Sequence, residues 1–246
     1  MYGTGVRILK RSCKIAALTN LCLLGLLLIV GAVCFYPLGV STAGQQAGRV
    51  CREGDRDSRY VSPMFCVFDG ADYVPQILDT LDDFGVKATF FVSGSWADDH
   101  AATLREIESR GHELGNGGYF QTDPGKLSYE KSREEIRLCG ELVQMLTGRA
   151  MSLYCPFDGG CSDEVADAAE SLGYTVVLWS QDTKDLSDAD RTMIFDRAAE
   201  ARGGELVRMH PTAETAAALP SVLQFYLEND LEPVPVSVNI AGIAKG

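Results

Sequence analysis

From residue 60 onwards, short apolar runs alternate with amphipathic stretches. The amphipathic stretches repeat apolar residues with a helical period, as in Val74–Phe84, in Ala101–Arg110 and after Ser128, and this period predicts helices. The apolar runs predict buried strands, and they are Phe65–Phe68, Ala88–Val92, Leu114–Asn116, Met151–Leu153, Thr175–Trp179, Leu206–Met209 and Val234–Val236. Strands and helices in alternation predict repeated βα units around a parallel sheet.

The seven strand candidates fit a closed, slightly irregular α/β barrel. In parallel barrels the chemistry is carried by the loops that follow the carboxyl ends of the strands. Asp69, Asp182 and His210 all stand close to such ends, so we expect a functional site there. The chain contains no nucleotide-binding glycine loop, no G-x-S-x-G and no H-E-x-x-H, so phosphate-binding, serine hydrolase and zincin functions have no motif to support them.

A stretch without charged residues, Ile15–Leu38, is long enough to cross a bilayer core of about 30 Å at about 1.5 Å per residue. Four cations precede it, which predicts a cytoplasmic N-terminus and a domain outside the cell membrane. Because the apolar part of a signal peptide usually spans only about 7 to 15 residues, an uncleaved single-pass anchor is favoured over cleavage near Ser41-Thr42-Ala43.

The segment after the predicted anchor is rich in Gly, Gln, Arg, Asp, Glu and Ser and has little apolar periodicity, as expected of a tether. The chain is therefore predicted to consist of a basic tail at 1–14, a membrane anchor at 15–38, a flexible tether at 39–59, a folded domain at 60–240 and a short tail at 241–246.

The formal net charge of the chain is −12, although the basic tail 1–14 contributes four cations and no acid. The rest of the chain is therefore strongly acidic, which argues against nucleic acid and anionic polymers as partners. No C-x-x-C pair occurs, so a zinc knuckle or a thioredoxin-type site has no support. Cys155 and Cys161 are near enough in sequence to form a disulfide, although buried cysteines often serve only as small apolar residues.

Several segments, in order, resemble the polysaccharide deacetylase family, the NodB homology domain. They are Phe65–Gly70, Gly85–Phe91, Gly111–Asn116 and Leu172–Thr183, and the resemblance extends over about residues 60–239. It implies a distorted (β/α)7 barrel that removes N- or O-acetyl groups from sugars in chitin-like or peptidoglycan-like polymers. It also implies a divalent metal, usually zinc, which polarises the acetyl carbonyl and activates water.

The metal positions of that family are changed in this chain. The family motif T-F-D-D-G supplies a catalytic base and then a ligand, and here Asp69 aligns with the base while Gly70 stands at the ligand position. The motif N-H-[ST]-x-x-H reads Asn116-Gly117-Gly118-Tyr119-Phe120-Gln121, so Gly117 and Gln121 replace both histidines. Glycine offers no ligand atom, and a glutamine carbonyl is a weak zinc ligand. We therefore expect no metal cofactor.

Other parts of the resemblance survive in part. R-x-P-[YF] appears as Tyr154-Cys155-Pro156-Phe157, which keeps Pro156 and Phe157 for substrate binding but loses the arginine that orients the base. Asp182 stands at a supporting position, and His210 aligns with the catalytic acid.

Each retained residue also has a structural interpretation. Asp69 could cap the next helix, and His210 could be a hydrogen-bonded residue of the barrel mouth. His112 is expected to pack rather than to bind a metal. A metal site rebuilt from acids is a further alternative, and its candidates are Asp69, Asp72, Asp123, Asp158 and His210.

The leading hypothesis is a membrane-anchored, extracytoplasmic polysaccharide deacetylase-like protein that has lost its metal and its catalysis. It would bind an envelope glycan or serve as a scaffold. Two alternatives stay open, which are an active sugar deacetylase with a remodelled site and a purely structural envelope module.

Overall fold

The structure is a computed structural model that describes residues 50–241 except 121, 122, 124, 125 and 188. The predicted basic tail 1–14, the predicted anchor 15–38 and residues 242–246 lie outside the described residues, and what was predicted of them stays a prediction. Within the described part, no helix combines the length and the apolar character needed to cross a bilayer.

Nine strands of the described chain form one sheet, and all of its strand pairs are parallel. The strands are β1 (Val50–Cys51), β2 (Tyr60–Val67), β3 (Thr89–Val92), β4 (Glu113–Asn116), β5 (Leu153–Tyr154), β6 (Thr175–Val177), β7 (Gln181–Asp182), β8 (Leu206–Met209) and β9 (Glu232–Pro233). Their order is β1-β6-β5-β4-β3-β2-β8-β7, and β9 pairs with β2. The sheet curls around its own apolar interior, so the predicted parallel α/β architecture is confirmed. It differs from a closed barrel because the path of paired strands ends at β1 and β7, each two residues long.

Eight helices of the described chain connect and cover these strands. They are α1 (Val74–Asp83), α2 (Gly94–Asp99), α3 (Ala101–Ser109), α4 (Tyr129–Thr147), α5 (Asp163–Ser171), α6 (Arg191–Ala198), α7 (Ala213–Glu228) and α8 (Val236–Ile240). The three helices predicted from apolar periodicity correspond to α1, α3 and α4, so the periodic pattern located them correctly.

Two predictions about the ends of the fold differ from the structure. Val234–Val236 is not a strand, because β9 ends at Pro233 and Val236 begins α8. Pro233 and Pro235 have no backbone N–H to donate to a ladder, which limits pairing there. The predicted tether 39–59 also ends earlier than expected, since Val50–Cys51 pairs with Val176–Val177 of β6.

Side chains on β2 alternate between the two faces of the curled sheet, as expected of a strand. Met64, Cys66 and Phe68 belong to the interior cluster, whereas Phe65 and Val67 pack on the outer face among the residues of the main core. This alternation decides which residues reach the carboxyl end of the sheet from the inside.

Candidate active site

A cleft of about 360 Å³ opens at the carboxyl ends of β2 and β8. Its lining residues are Cys66, Phe68, Asp69, Phe157, Leu186, His210, Pro211 and Thr212. Three of the residues proposed from the sequence, Asp69, Phe157 and His210, therefore converge on one cavity although they are far apart in the chain. The convergence follows from the parallel sheet, whose strands all end on the same side.

His210 is held by a buried carboxylate. Its Nδ1 lies 2.7 Å from Oδ1 of Asp185, and its backbone N–H donates to Oδ2 of Asp185 over 2.6 Å. The hydroxyl of Thr215 donates to the same Oδ2 over 2.7 Å. Burial by itself raises the pKa of Asp185, but the hydrogen bonds and charge of His210 and the bond from Thr215 outweigh it, so this pKa is lowered. The ionised carboxylate accepts a hydrogen bond from Nδ1–H of His210, which leaves Nε2 as the ring nitrogen that can exchange a proton.

Sequence reasoning assigned the supporting role to Asp182, and the structure gives it another partner. Oδ2 of Asp182 lies 2.6 Å from Nη2 of Arg208, and its Oδ1 accepts the backbone N–H of Lys184. The residue that supports His210 is Asp185, three positions later in the same segment. The signal that could have found it is the second carboxylate of the segment Asp182–Leu186.

Asp69 lies at the rim of the cleft and is exposed. Its Oδ1 accepts the backbone N–H of Gly70 over 2.9 Å. It does not cap the next helix, because the N-cap residue of α1 is Tyr73 and no side chain bonds to that end. The carbonyl of Gly70 accepts the indole N–H of Trp96 over 2.6 Å, which fixes the turn that carries Asp69.

The aromatic ring of Phe68 lies against Gly117, one of the positions where the family has a metal ligand. A Cβ added to Gly117 would lie 3.1 Å from Cε1 of Phe68 and 3.0 Å from the carbonyl oxygen of Val92. The ring also packs edge-on against Phe157, with centroids 4.7 Å apart, and its centroid is 6.2 Å from that of His210. An apolar side chain thus fills the space beside the position from which a ligand would extend.

The backbone from Gly117 to Phe120 does not form a helical turn. Gly118 has a φ of +85°, which belongs to the left-handed region. The N–H groups of Gly94 and Ser95 bond to the carbonyls of Gly118 and Tyr119. Oε2 of Glu135 accepts the N–H groups of Tyr119 and Phe120 over 3.1 and 2.6 Å. The loop is therefore held in a non-helical shape from both sides.

The residues at the family positions do not fit a zinc ion of the family type. Gly70 and Gly117 have no ligand atoms, and Gln121 lies outside the described residues. Tyr154, at the position of the lost arginine, packs on the opposite face of the sheet with Ile136 and Val165, and burial raises the pKa of its hydroxyl. Across the described residues, no three His, Cys, Asp or Glu side chains are grouped to hold a metal.

The acids considered for a rebuilt metal site do not gather. Asp123 forms an ion pair with Lys126 over 2.8 Å, and Oδ1 of Asp158 accepts the N–H of Gly160. Neither Asp72, Asp123 nor Asp158 is among the residues that line the cleft with Asp69 and His210. The described part of the chain therefore gives no support to an oxygen-rich metal centre.

Arg208 is a cation that the sequence interpretation did not single out. It lies on β8 two residues before His210, its guanidinium lies 3.6 Å from the ring centroid of Trp179, and its side chain is 16% exposed. Its signal in the sequence is a charge inside an apolar strand, Leu206–Met209. The stacking on Trp179 and the ion pair with Asp182 stabilise the charge of the Arg208 guanidinium at this largely buried position.

His112 packs as expected from the sequence. It is 5% exposed, its Nδ1 accepts the backbone N–H of Ala88, and its ring lies 5.4 Å from that of Phe90. Burial, together with the nearby Lys87, lowers the pKa of His112 to about 4. It is therefore a neutral residue near the start of β4, at the end of the sheet away from the cleft.

Comparisons with known proteins agree with the fold and with the family resemblance of the sequence. The profile of the family described as polysaccharide deacetylase matches residues 58–177. A peptidoglycan-N-acetylglucosamine deacetylase of Bacillus cereus is 30% identical over 164 residues, which cover 63% of this chain and 76% of that protein. YlxY of Bacillus subtilis, an uncharacterized protein, is 28% identical over 172 residues, and the chain spans 54% of its length.

A crystal structure with the same fold is that of BA3943 from Bacillus anthracis, described as a CE4 family pseudoenzyme. It superimposes with a TM-score of 0.77 at 24% identity, over 78% of this chain and 69% of that chain. At this identity the likeness concerns the fold.

Proposed function

Because the chain belongs to the polysaccharide deacetylase family, we propose that it is a deacetylase-like protein of envelope glycans that has lost the metal-dependent reaction and retains its cleft for binding. The observation that carries this proposal is that Gly70 and Gly117, at two of the three ligand positions of the family, have no side-chain ligand atoms. In the proposal the domain stands outside the cell membrane on the anchor 15–38.

Loss of the metal removes the group that would polarise the acetyl carbonyl and activate water. The remaining Asp69 and His210 can exchange protons, but proton transfer alone contributes only about 10²–10⁴-fold to a rate. Amide hydrolysis needs far more than that, since enzymes accelerate reactions by about 10⁶-fold or more. The cleft is therefore expected to bind an acetylated sugar without releasing acetate at a useful rate.

The chemistry of the cleft suits a sugar ring. Phe68, Phe157 and Leu186 offer apolar surface, while Asp69, His210 and Thr212 offer hydrogen-bonding groups at its edge. Binding sites commonly combine mostly apolar walls with a few polar groups that fix orientation. A neutral glycan is also compatible with a strongly acidic chain, whereas an anionic polymer would be repelled.

One observation favours a second candidate, an active deacetylase with a remodelled site. His210 is oriented by a buried carboxylate and shares its cleft with Asp69, an arrangement that could pass a proton. A third possibility is a module that binds no glycan. The proposed function and both alternatives differ in what they predict for acetate release and for ligand binding.

The test uses the full chain purified in detergent. Zinc content is measured after exposure to zinc and dialysis, and acetate release is followed with acetylated chitin oligomers and peptidoglycan fragments. We expect no zinc-dependent turnover, together with a rise in melting temperature on addition of a glycan, because a ligand that binds only the folded state stabilises it. Phe157→Ala should abolish the rise, and Met145→Ala, an exposed residue of α4 outside the cleft, should leave it unchanged.

Zinc-dependent acetate release that is lost in Asp69→Asn would establish the active alternative. Absence of a melting shift with every glycan would favour the structural module. A precedent for testing recovery exists within the fold, because a mutant of BA3943 is described as having restored enzymatic activity. The proposed anchoring has a separate test, in which deletion of residues 15–38 should move the protein from the membrane fraction to the soluble fraction.

A further inference from the structure

Two cysteines pack in the same interior cluster of the curled sheet, next to the cleft. Cys66 is on β2 and Cys155 directly follows β5, and the two residues are 1% and 0% exposed. Both belong to the interior cluster, and both are free thiols in the structure. Cys66 also lines the cleft, so it is the one of the two cysteines that a reagent entering the cleft would meet first.

The packing around the two cysteines shows that their segments meet. Phe68 lies two residues after Cys66, Phe157 lies two residues after Cys155, and their rings are in contact with centroids 4.7 Å apart. All four side chains pack in the same interior cluster. The two aromatic rings and the two cysteines are therefore neighbouring pairs, each with one member at the end of β2 and one in the segment after β5.

The electrostatics of Cys155 agree with this placement. The pKa of its thiol is raised, first because its S–H donates a hydrogen bond to the sulfur of Cys66, and then by burial and by the charge of Cys66. The guanidinium of Arg208 acts in the opposite direction and favours the thiolate of Cys155.

The other cysteines of the described chain are directed elsewhere. Cys51 packs against the edge of the interior cluster, but its thiol donates to the carbonyl of Glu53. Cys161, the partner for Cys155 suggested by sequence proximity, packs with Tyr154 and Val165 on the opposite face of the sheet, and the two are not bonded in the structure. Cys139 lies in the core under the helices, where its thiol is directed to the carbonyl of Val92. The interior arrangement therefore selects Cys66 for Cys155.

We propose that Cys66 and Cys155 are an oxidisable dithiol whose disulfide joins the two aromatic walls of the cleft. With a small disulfide such as oxidised glutathione, the Cys66 thiolate attacks one glutathione sulfur, a new S–S bond forms, and the other glutathione leaves as a thiolate. The Cys155 thiolate then attacks the Cys66 sulfur of the mixed disulfide and releases the second glutathione. The two cysteine thiols are oxidised, one glutathione disulfide is reduced, and the two cysteine protons end on the two glutathione thiols.

The consequence is mechanical. A disulfide restricts the unfolded chain and raises stability, and this one would also fix the end of β2 against the segment that carries Phe157. The distance between the rings of Phe68 and Phe157, and with it the width of the cleft, would then depend on the redox state. The inference holds whether or not the cleft binds a glycan.

The experiment compares the full chain in detergent after incubation with oxidised glutathione and after reduction with dithiothreitol. Remaining thiols are blocked with N-ethylmaleimide under denaturing conditions, and peptides are mapped by mass spectrometry. We expect a peptide that links Cys66 to Cys155 in the oxidised sample only, and a higher melting temperature of that sample.

The matched control is Cys139→Ser, a buried cysteine outside the interior cluster, which should keep both the linked peptide and the rise in melting temperature. Cys66→Ser should lose both. The wild-type peptide map decides the matter even if a serine variant folds poorly. Recovery of Cys66 and Cys155 as fully alkylated thiols after oxidation, or a linkage of either to Cys161, would overturn the proposal.

Discussion

The substitution Gly117→Ala would measure how closely the Phe68 ring approaches position 117. A Cβ at 3.0 Å from the Val92 carbonyl and 3.1 Å from the Phe68 ring is closer than ordinary contact, so the ring and the backbone must both give way. Overpacking of this kind costs about 1–3 kcal/mol. The φ of Gly117 does not lie in the left-handed region, so the cost of Gly117→Ala is steric.

The contribution of the Phe68 ring to that cost can be isolated with Phe68→Leu, which removes the ring edge that faces residue 117. This substitution by itself costs about 1–2 kcal/mol of unfolding free energy. In that background Gly117→Ala should be cheaper by about 0.5–1.5 kcal/mol, because contacting residues couple. Urea unfolding followed by circular dichroism gives all four free energies of the cycle.

A matched control is Gly115→Ala, whose Cβ would meet Phe91 rather than Phe68, so Phe68→Leu should leave its cost nearly unchanged. If Gly117→Ala costs less than a few tenths of a kcal/mol, or costs the same in both backgrounds, the ring does not block the ligand position. The argument that the Phe68 ring crowds position 117 would then fail.

Three further outcomes are expected. Asp185→Leu should lower the free energy of unfolding by about 3–5 kcal/mol, because it leaves several buried donors without an acceptor. Thr215→Val should cost only about 1–2 kcal/mol, and equal losses in urea unfolding would contradict the geometry. The folded-state pKa of His112, about 4, lies below its unfolded value, so the free energy of unfolding should fall as pH drops from 6.5 towards 4. After allowance for screening, His112→Gln should remove about 1–2 kcal/mol of that pH dependence. A variant with the same pH profile as the wild type would refute this assignment. Asp190→Ala should cost about 1 kcal/mol, since its side chain caps α6 through two N–H groups, and a neutral effect on the melting temperature would show that α6 does not need the cap.

The fold was predictable where the signal is local. Helices α1, α3 and α4 follow from apolar periodicity, and β2, β3, β4 and β8 follow from short apolar runs. The two-residue strand β1 has no such signal, because its existence depends on pairing with β6, more than a hundred residues later. The strand predicted at Val234–Val236 was wrong although the sequence held the signal against it, because Pro235 within the run and Pro233 before it limit pairing.

The site was predictable in its location but only partly in its contacts. Asp69 and His210 share a cleft because parallel strands end together, which the sequence already implied. The choice between Asp182 and Asp185 was not predictable, since it depends on the register that places Asp182 opposite Arg208. The inward position of Phe68 likewise follows from the alternation along β2, which fixes the face of each residue only once the strand is placed.

The hydrogen bond from the indole of Trp96 to the carbonyl of Gly70 gives the molecule an optical reporter. The chain has two tryptophans, and this bond ties one of them to the turn that carries Asp69, while the other lies under the guanidinium of Arg208. Both chromophores are therefore joined to residues at or near the cleft. Movement of the Asp69 turn, or a change in the ion pair of Arg208, is expected to change the intrinsic emission, so events at the cleft can be followed by light without any label.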